Sequence, residues 1–132
     1  MREDVQLRLK SLEYTIDVAK RNFEMGLYVP AAFYTHLSVE KALKTAIIAL
    51  CNELPEKTHR LQRLYGKIAN EVPLTEEQIA FLEELTPVVS RARYEDIELA
   101  DPSEIYTEAV VKRFIDNAFP IIEKLKAAIV EK

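Results

Sequence analysis

Residues Phe33-Tyr34-Thr35-His36-Leu37-Ser38-Val39-Glu40-Lys41-Ala42-Leu43-Lys44-Thr45-Ala46-Ile47-Ile48 decide the fold. No glycine or proline interrupts them, and Ala, Leu, Lys and Glu are strong helix formers. At 3.6 residues per turn, Phe33, Leu37, Val39, Leu43, Ala46, Ile47 and Leu50 share one apolar arc. Glu40 falls inside that arc, close to the directions of Phe33 and Ile47. His36 lies one turn before it and Lys44 one turn after it, on the same side. A carboxylate facing a core is costly unless it is paired or lines a cleft. Glu40 therefore marks either a structural ion pair with Lys44 or the border of a functional groove shaped by His36 and Glu40.

Working outward, the spacing predicts a first helix from Asp4 to Met25, stopped by Gly26. It carries two apolar stripes. Val5, Leu9, Leu12, Ile16, Ala19 and Phe23 form one; Leu7, Tyr14, Val18 and Met25 form the other. The second stripe reads either as an oligomer contact or as a helix packed between neighbours. The second helix is expected from Pro30, a good first-turn residue, to Cys51. A third is expected from His59 to Asn70, with Thr58 as N-cap and Leu61, Leu64, Tyr65 and Ile68 inward. Thr75-Glu76-Glu77-Gln78 is a capping box that opens a fourth helix, which Pro87 should kink. After a long connection, Ala92 to Ala100, a fifth helix should begin at Asp101-Pro102-Ser103-Glu104. Its apolar repeat is Val111, Ile115, Ala118, Ile122, Leu125 and Ile129, and Pro120 predicts a kink or break. The chain reads as one all-α domain, an antiparallel, up-and-down bundle of four to five helices.

Composition narrows the function. The chain has 132 residues, enough for one self-sufficient core, and 48% of them are hydrophobic. The net charge of −4 gives no global field for nucleic acid, so DNA is not an expected partner. The single cysteine, Cys51, permits no internal disulfide, which fits a reducing cytosol. The longest wholly apolar run, Ala46 to Cys51, is far too short to cross a membrane. With only Gly26 and Gly66, no glycine-rich phosphate loop exists. Glu56-Lys57-Thr58-His59 is one Glu-x-x-His; a di-metal bundle needs two such motifs and further inward Glu residues. No cofactor or metal is expected.

Two basic groups remain. Arg91, Arg93 and Tyr94 stand at the end of the fourth helix, beside Asp96. They read either as cations at a helix C-terminus or as donors and a stacking face for an anionic ligand. Lys57, His59, Arg60, Arg63 and Lys67 read as a solvated basic patch at the start of the third helix.

Taken together, these motifs resemble the HEPN domain family. Tyr28-x-x-Ala31-x-Phe33 leading to Glu40-Lys41-x-x-Lys44 is similar to its second-helix signature. Thr58-His59-x-Leu61-x-x-Leu64 and Arg91-x-Arg93-Tyr94 resemble its later motifs. The resemblance implies a helical bundle that dimerises and associates with nucleotide or RNA, often beside a separately encoded minimal nucleotidyltransferase. On that reading Arg91, Arg93, Tyr94 and Lys44 contact nucleotide or anion, while His36, Glu40 and Asp96 shape the cleft. Ribonuclease members, including toxins of toxin–antitoxin pairs, carry an Arg, four to six residues, then a His near the last helix. Here no His follows His59, so the general base is missing from that place. A helical scaffold that binds no small ligand is the third reading.

Overall fold

The computed structural model describes residues 1–91 and 101–131, and their regular structure is all helical. The first helix, α1 (Glu3–Glu24), ends as Gly26 dictates. Gly26 takes φ +79°, which only glycine adopts without strain. Its N–H reaches the Phe23 carbonyl at 3.0 Å, and the Leu27 N–H reaches Asn22 at 2.8 Å. This paired closure satisfies two end carbonyls and turns the chain back.

Helix α2 (Tyr28–Ala46) follows at once, two residues earlier than Pro30 led us to expect. Pro30 still sits in the first turn, where an N–H has no intrahelical partner, so its missing donor costs nothing. The expected α-helix to Cys51 is also modified: Ile47–Cys51 widens to a π-helical turn. It closes at Asn52 in the left-handed region (φ 55°), and Arg2 donates to the Ile48 carbonyl at 3.0 Å.

α2 is the central element. It packs on α1 and α7 and also touches α3, α5 and α6. Ala31, Ala32, Ser38, Ala42 and Ala46 are buried, and such small side chains let neighbouring helices approach closely. The buried hydroxyls of Thr35 and Thr45 donate to carbonyls one turn back at 2.7 Å, so neither hydroxyl is stranded.

The short helices are α3 (Leu61–Tyr65), α4 (Glu76–Leu85), α5 (Val88–Arg91) and α6 (Pro102–Ile105). α3 is shorter than the expected His59–Asn70 helix, though Leu61, Leu64, Tyr65 and Ile68 are buried as predicted. Thr58 does not cap it. The Leu61 N–H donates instead to the Thr86 hydroxyl at 3.1 Å, a cap supplied from another helix. The capping box at Thr75 and Gln78 forms as expected, and α4 runs from it. Pro87 ends α4 outright rather than kinking it, because it lacks an N–H and its ring crowds the preceding turn.

Asp101 caps α6 through the Ser103 N–H at 2.9 Å, but this helix is separate from the last one. Tyr106 leaves the helical region (φ −97°, ψ 76°), and its buried ring lies 6.1 Å from that of Phe114 between centroids. α7 (Glu108–Glu131) then runs on through Pro120, so of the kink or break expected there no break occurs. Pro120 and Asp116 are exposed, so the Asp116 carbonyl that loses its partner can bond to water.

Lys41 donates to the Ser11 and Thr15 hydroxyls at 2.9 and 2.8 Å, and Arg2 meets Asn52. α1 and α2 are therefore antiparallel. Glu13 pairs with Lys126, and Lys20 lies 4.9 Å above the Phe119 ring, so α1 is antiparallel to α7 as well. The first α1 stripe enters the core. The second does not pack between neighbours: Leu7, Tyr14 and Met25 are 61%, 64% and 73% exposed.

Candidate functional site

The face of α2 singled out by the sequence carries a buried polar network. Helical spacing brings His36, Glu40 and Lys44 into one row, as predicted. Glu40 is only 5% exposed, yet both its carboxylate oxygens are occupied. Oε2 accepts from Lys44 Nζ at 3.0 Å, the expected pair. Oε1 accepts from His59 Nδ1 at 2.8 Å, a partner delivered by the segment between α2 and α3. A buried carboxylate with two charge-capable donors avoids the penalty of an unpaired ion.

His36 is fully buried. Its Nε2 lies 3.2 Å from the His59 carbonyl, which can only accept, so we assign the ring proton to Nε2. Nδ1 then bears a lone pair. It has no hydrogen-bond partner and lies 3.8 Å from Glu40 Oε1. Burial pushes the His36 imidazole down to about 4, against the opposing pull of the Glu40 carboxylate. The ring is neutral at pH 7.

Both buried groups converge on His59. His36 holds its backbone carbonyl and Glu40 holds its ring, while the His59 side chain stays 59% exposed. With Nδ1 turned to Glu40, Nε2 is the ring nitrogen not committed to that carboxylate. The neighbouring cations have partial commitments. Arg63 pairs with Glu56 and holds that carboxyl below the usual carboxylate range. The two ends of Glu56-x-x-His59 thus face different partners. A cleft of about 110 Å³ lined by Arg60, Gln62, Arg63, Glu83 and Thr86 lies beside the start of α3. Among the described residues, no group of three or more His, Cys, Asp or Glu is placed to share a metal ion. None of the described helices is long and apolar enough to cross a membrane.

Arg91 closes α5, which packs on α2 just after Thr86, the residue that caps α3. The Arg91 side chain, and Arg93, Tyr94 and Asp96 entirely, lie outside the described residues. The sequence reading left His59 in a solvated patch. Its link to Glu40 spans a loop and has no helical period; the Thr58-His59-x-Leu61 opening was the available signal.

Comparison with known proteins agrees with this architecture. Among curated proteins, none matches the chain. Among solved structures it is similar to TT1696 from Thermus thermophilus at 20% identity, with a TM-score of 0.84. That match covers 96% of this chain and 99% of the other, and at such identity it speaks for the fold alone. The family model of the HEPN domain matches residues 5–128, a span holding the α2 row, the His59 opening and the Arg91 segment. The chain belongs to the HEPN domain family.

Proposed function

We propose that this protein is a nucleotide- or RNA-binding HEPN module, the non-catalytic companion of a separately encoded minimal nucleotidyltransferase. One observation carries the binding part. A buried carboxylate, Glu40, holds a lysine and an exposed imidazole at the surface of α2, the helix on which α5 also packs. Burying such a group costs free energy that a merely structural helix could avoid with an apolar residue. Lys44 offers a cation to phosphate, and Arg91, Arg93 and Tyr94 offer a donor fork and a stacking face. The missing His after Arg91 supports a binding role over cleavage. The exposed Leu7 and Tyr14 on α1 support a homodimer or a protein partner on that side.

A thermal-shift titration with ATP and other nucleotides tests the binding. Ligand at 100 times its Kd stabilises by about 2.7 kcal/mol, roughly 10 °C for a domain of this size. The shift should shrink in Lys44→Ala, Arg91→Ala and Arg93→Ala. No shift at millimolar nucleotide, or variants that respond like the parent, removes the binding role. Co-purification with a nucleotidyltransferase encoded beside it tests the partner.

A further inference from the structure

We infer that the groove between α1 and α2 holds a second binding site, for a small organic carboxylate with an apolar ring, and that Lys41 receives the carboxylate. The site is separate from the nucleotide-binding reading above and does not depend on it. A cavity of about 380 Å³ lies in this groove, lined by Tyr14, Val18, Tyr34 and Leu37 around the Lys41 side chain. That volume falls within the range of small-molecule sites, about 300–1,000 Å³, which combine apolar walls with a few placed polar groups. Two tyrosine rings and two aliphatic side chains make such walls. The Tyr34 ring is braced edge-on against Phe33, 5.3 Å between centroids.

Lys41 supplies the polar group. Its Nζ donates to the Ser11 hydroxyl at 2.9 Å and to the Thr15 hydroxyl at 2.8 Å, and both residues line the same cavity. The Thr15 hydroxyl sends its own proton to the Ser11 carbonyl at 2.9 Å, which leaves its oxygen free to accept. An ammonium has three donors, so these two bonds fix its place and one donor remains. Neutral hydroxyls do not cancel its charge. The chain holds 22 acidic residues against 18 basic ones, yet among the described residues Lys41 makes no ion pair. The acids nearest in the two helices are committed elsewhere: Glu13 to Lys126, Asp17 to Arg21 and Glu40 to Lys44. One turn before and after Lys41, α2 carries Leu37 and Thr45, so its own helix offers no carboxylate. A cation held at a partly apolar wall without a counter-ion attracts an anion more strongly than one in open water. One charge and one free N–H suit a monoanion, and the walls suit an apolar body. A carboxylate on a ring meets both demands, whereas a phosphate dianion leaves charge and oxygens unmatched.

The test titrates the full chain, observed by proton–nitrogen NMR, with indole-3-acetate and with indole-3-acetamide, which has the same shape and no charge. The acid should bind with a Kd of about 1 mM, ordinary for a ligand of its size, and about 10-fold tighter than the amide. Shifts should centre on residues 11–18 and 34–41. Lys41→Met should bring the acid down to the affinity of the amide while amide binding stays within a factor of about two, and circular dichroism checks that the variant is folded. Tyr14→Ala, a change at an exposed side chain, should weaken both ligands and gives an independent reading. Absence of shifts at about 10 mM acid, equal affinity for acid and amide, or a preference that survives in Lys41→Met overturns the inference. Shifts centred instead on Lys44, His59 and Arg91 assign the anion to the other site and also overturn it. Sedimentation at rising protein concentration covers the remaining occupant: a dimer that forms as the acid loses its binding gives the cavity to a second copy and overturns the small-ligand site.

Discussion

Acid should weaken this fold through His36, and by an amount that can be worked out. An ordinary imidazole titrates near 6.5, whereas His36 is held down at about 4 because burial disfavours its charged form. The Glu40 carboxylate pulls upward and the Lys44 and His59 charges pull downward, but desolvation is the largest effect. Above pH 6.5 the ring is neutral in both the folded and the unfolded chain, and His36 adds no pH dependence. As pH falls below 6.5 the unfolded chain takes up a proton that the folded chain refuses. Stability therefore drops, by about 1.4 kcal/mol per pH unit, until the folded ring also titrates near 4. The loss between pH 6.5 and pH 5 is about 2 kcal/mol, which lowers Tm by roughly 7 °C for a domain of this length. Carboxylates also titrate in acid, so the comparison needs a partner without the imidazole. His36→Gln retains an N–H donor for the His59 carbonyl but cannot titrate. Calorimetric melts of both proteins from pH 8 to pH 4.5 should give curves that run parallel above pH 7 and separate below 6.5, with the parent falling faster. Parallel curves over the whole range would show that His36 takes up its proton in the folded state, and the reasoning from burial would be wrong.

Three further outcomes follow from local geometry. Lys44→Met removes one of the two donors on the buried Glu40 carboxylate and should cost about 1–3 kcal/mol by urea unfolding at pH 7, with an unchanged midpoint refuting the pairing. Gly26→Ala places a Cβ on a backbone with φ +79° and no close neighbour, so the cost is conformational alone, about 1–2 kcal/mol in the same assay. Thr86→Val strips the N-cap from Leu61 and should lower stability by about 1 kcal/mol, whereas Thr58→Val should cost less, reversing the order expected from adjacency in sequence.

What was legible in the sequence was local or periodic. The Gly26 stop, the capping box at Thr75 and Gln78, the buried stripe of α7 and the Glu40–Lys44 pair each depend on residues within one or two turns. Their physics is complete inside a short window. The misreadings involve features that no short-range pattern reveals: a distant partner, a ring contact or the solvent side of a helix. Thr58 looked like a cap because the Thr86 hydroxyl that performs the role arrives from another helix. Asp101 looked like the start of the final helix because its cap signal is genuine, and nothing in the spacing marks the non-helical Tyr106 that separates α6 from α7. Pro120 looked like a break, yet its lost hydrogen bond falls on the solvent side. At the site, spacing aligned His36, Glu40 and Lys44, but it could not show that His59 comes back over them.

The central position of α2 also bears on how the chain folds. Its contacts with α1 are close in sequence and need only the Gly26 turn, whereas the contacts that it and its π-helical extension make with α7 join distant segments: Tyr28 meets Glu108, and Ala49 lines one cavity with Ile129. Closing so long a loop carries an entropic cost that the α1–α2 hairpin avoids. The hairpin is thus the expected nucleus, and the docking of α7 the late event. In stopped-flow chevrons, Leu12→Ala should chiefly slow folding, and Leu125→Ala should chiefly speed unfolding. The reverse pattern would place the nucleus across α2 and α7 and make loop closure the first step of folding.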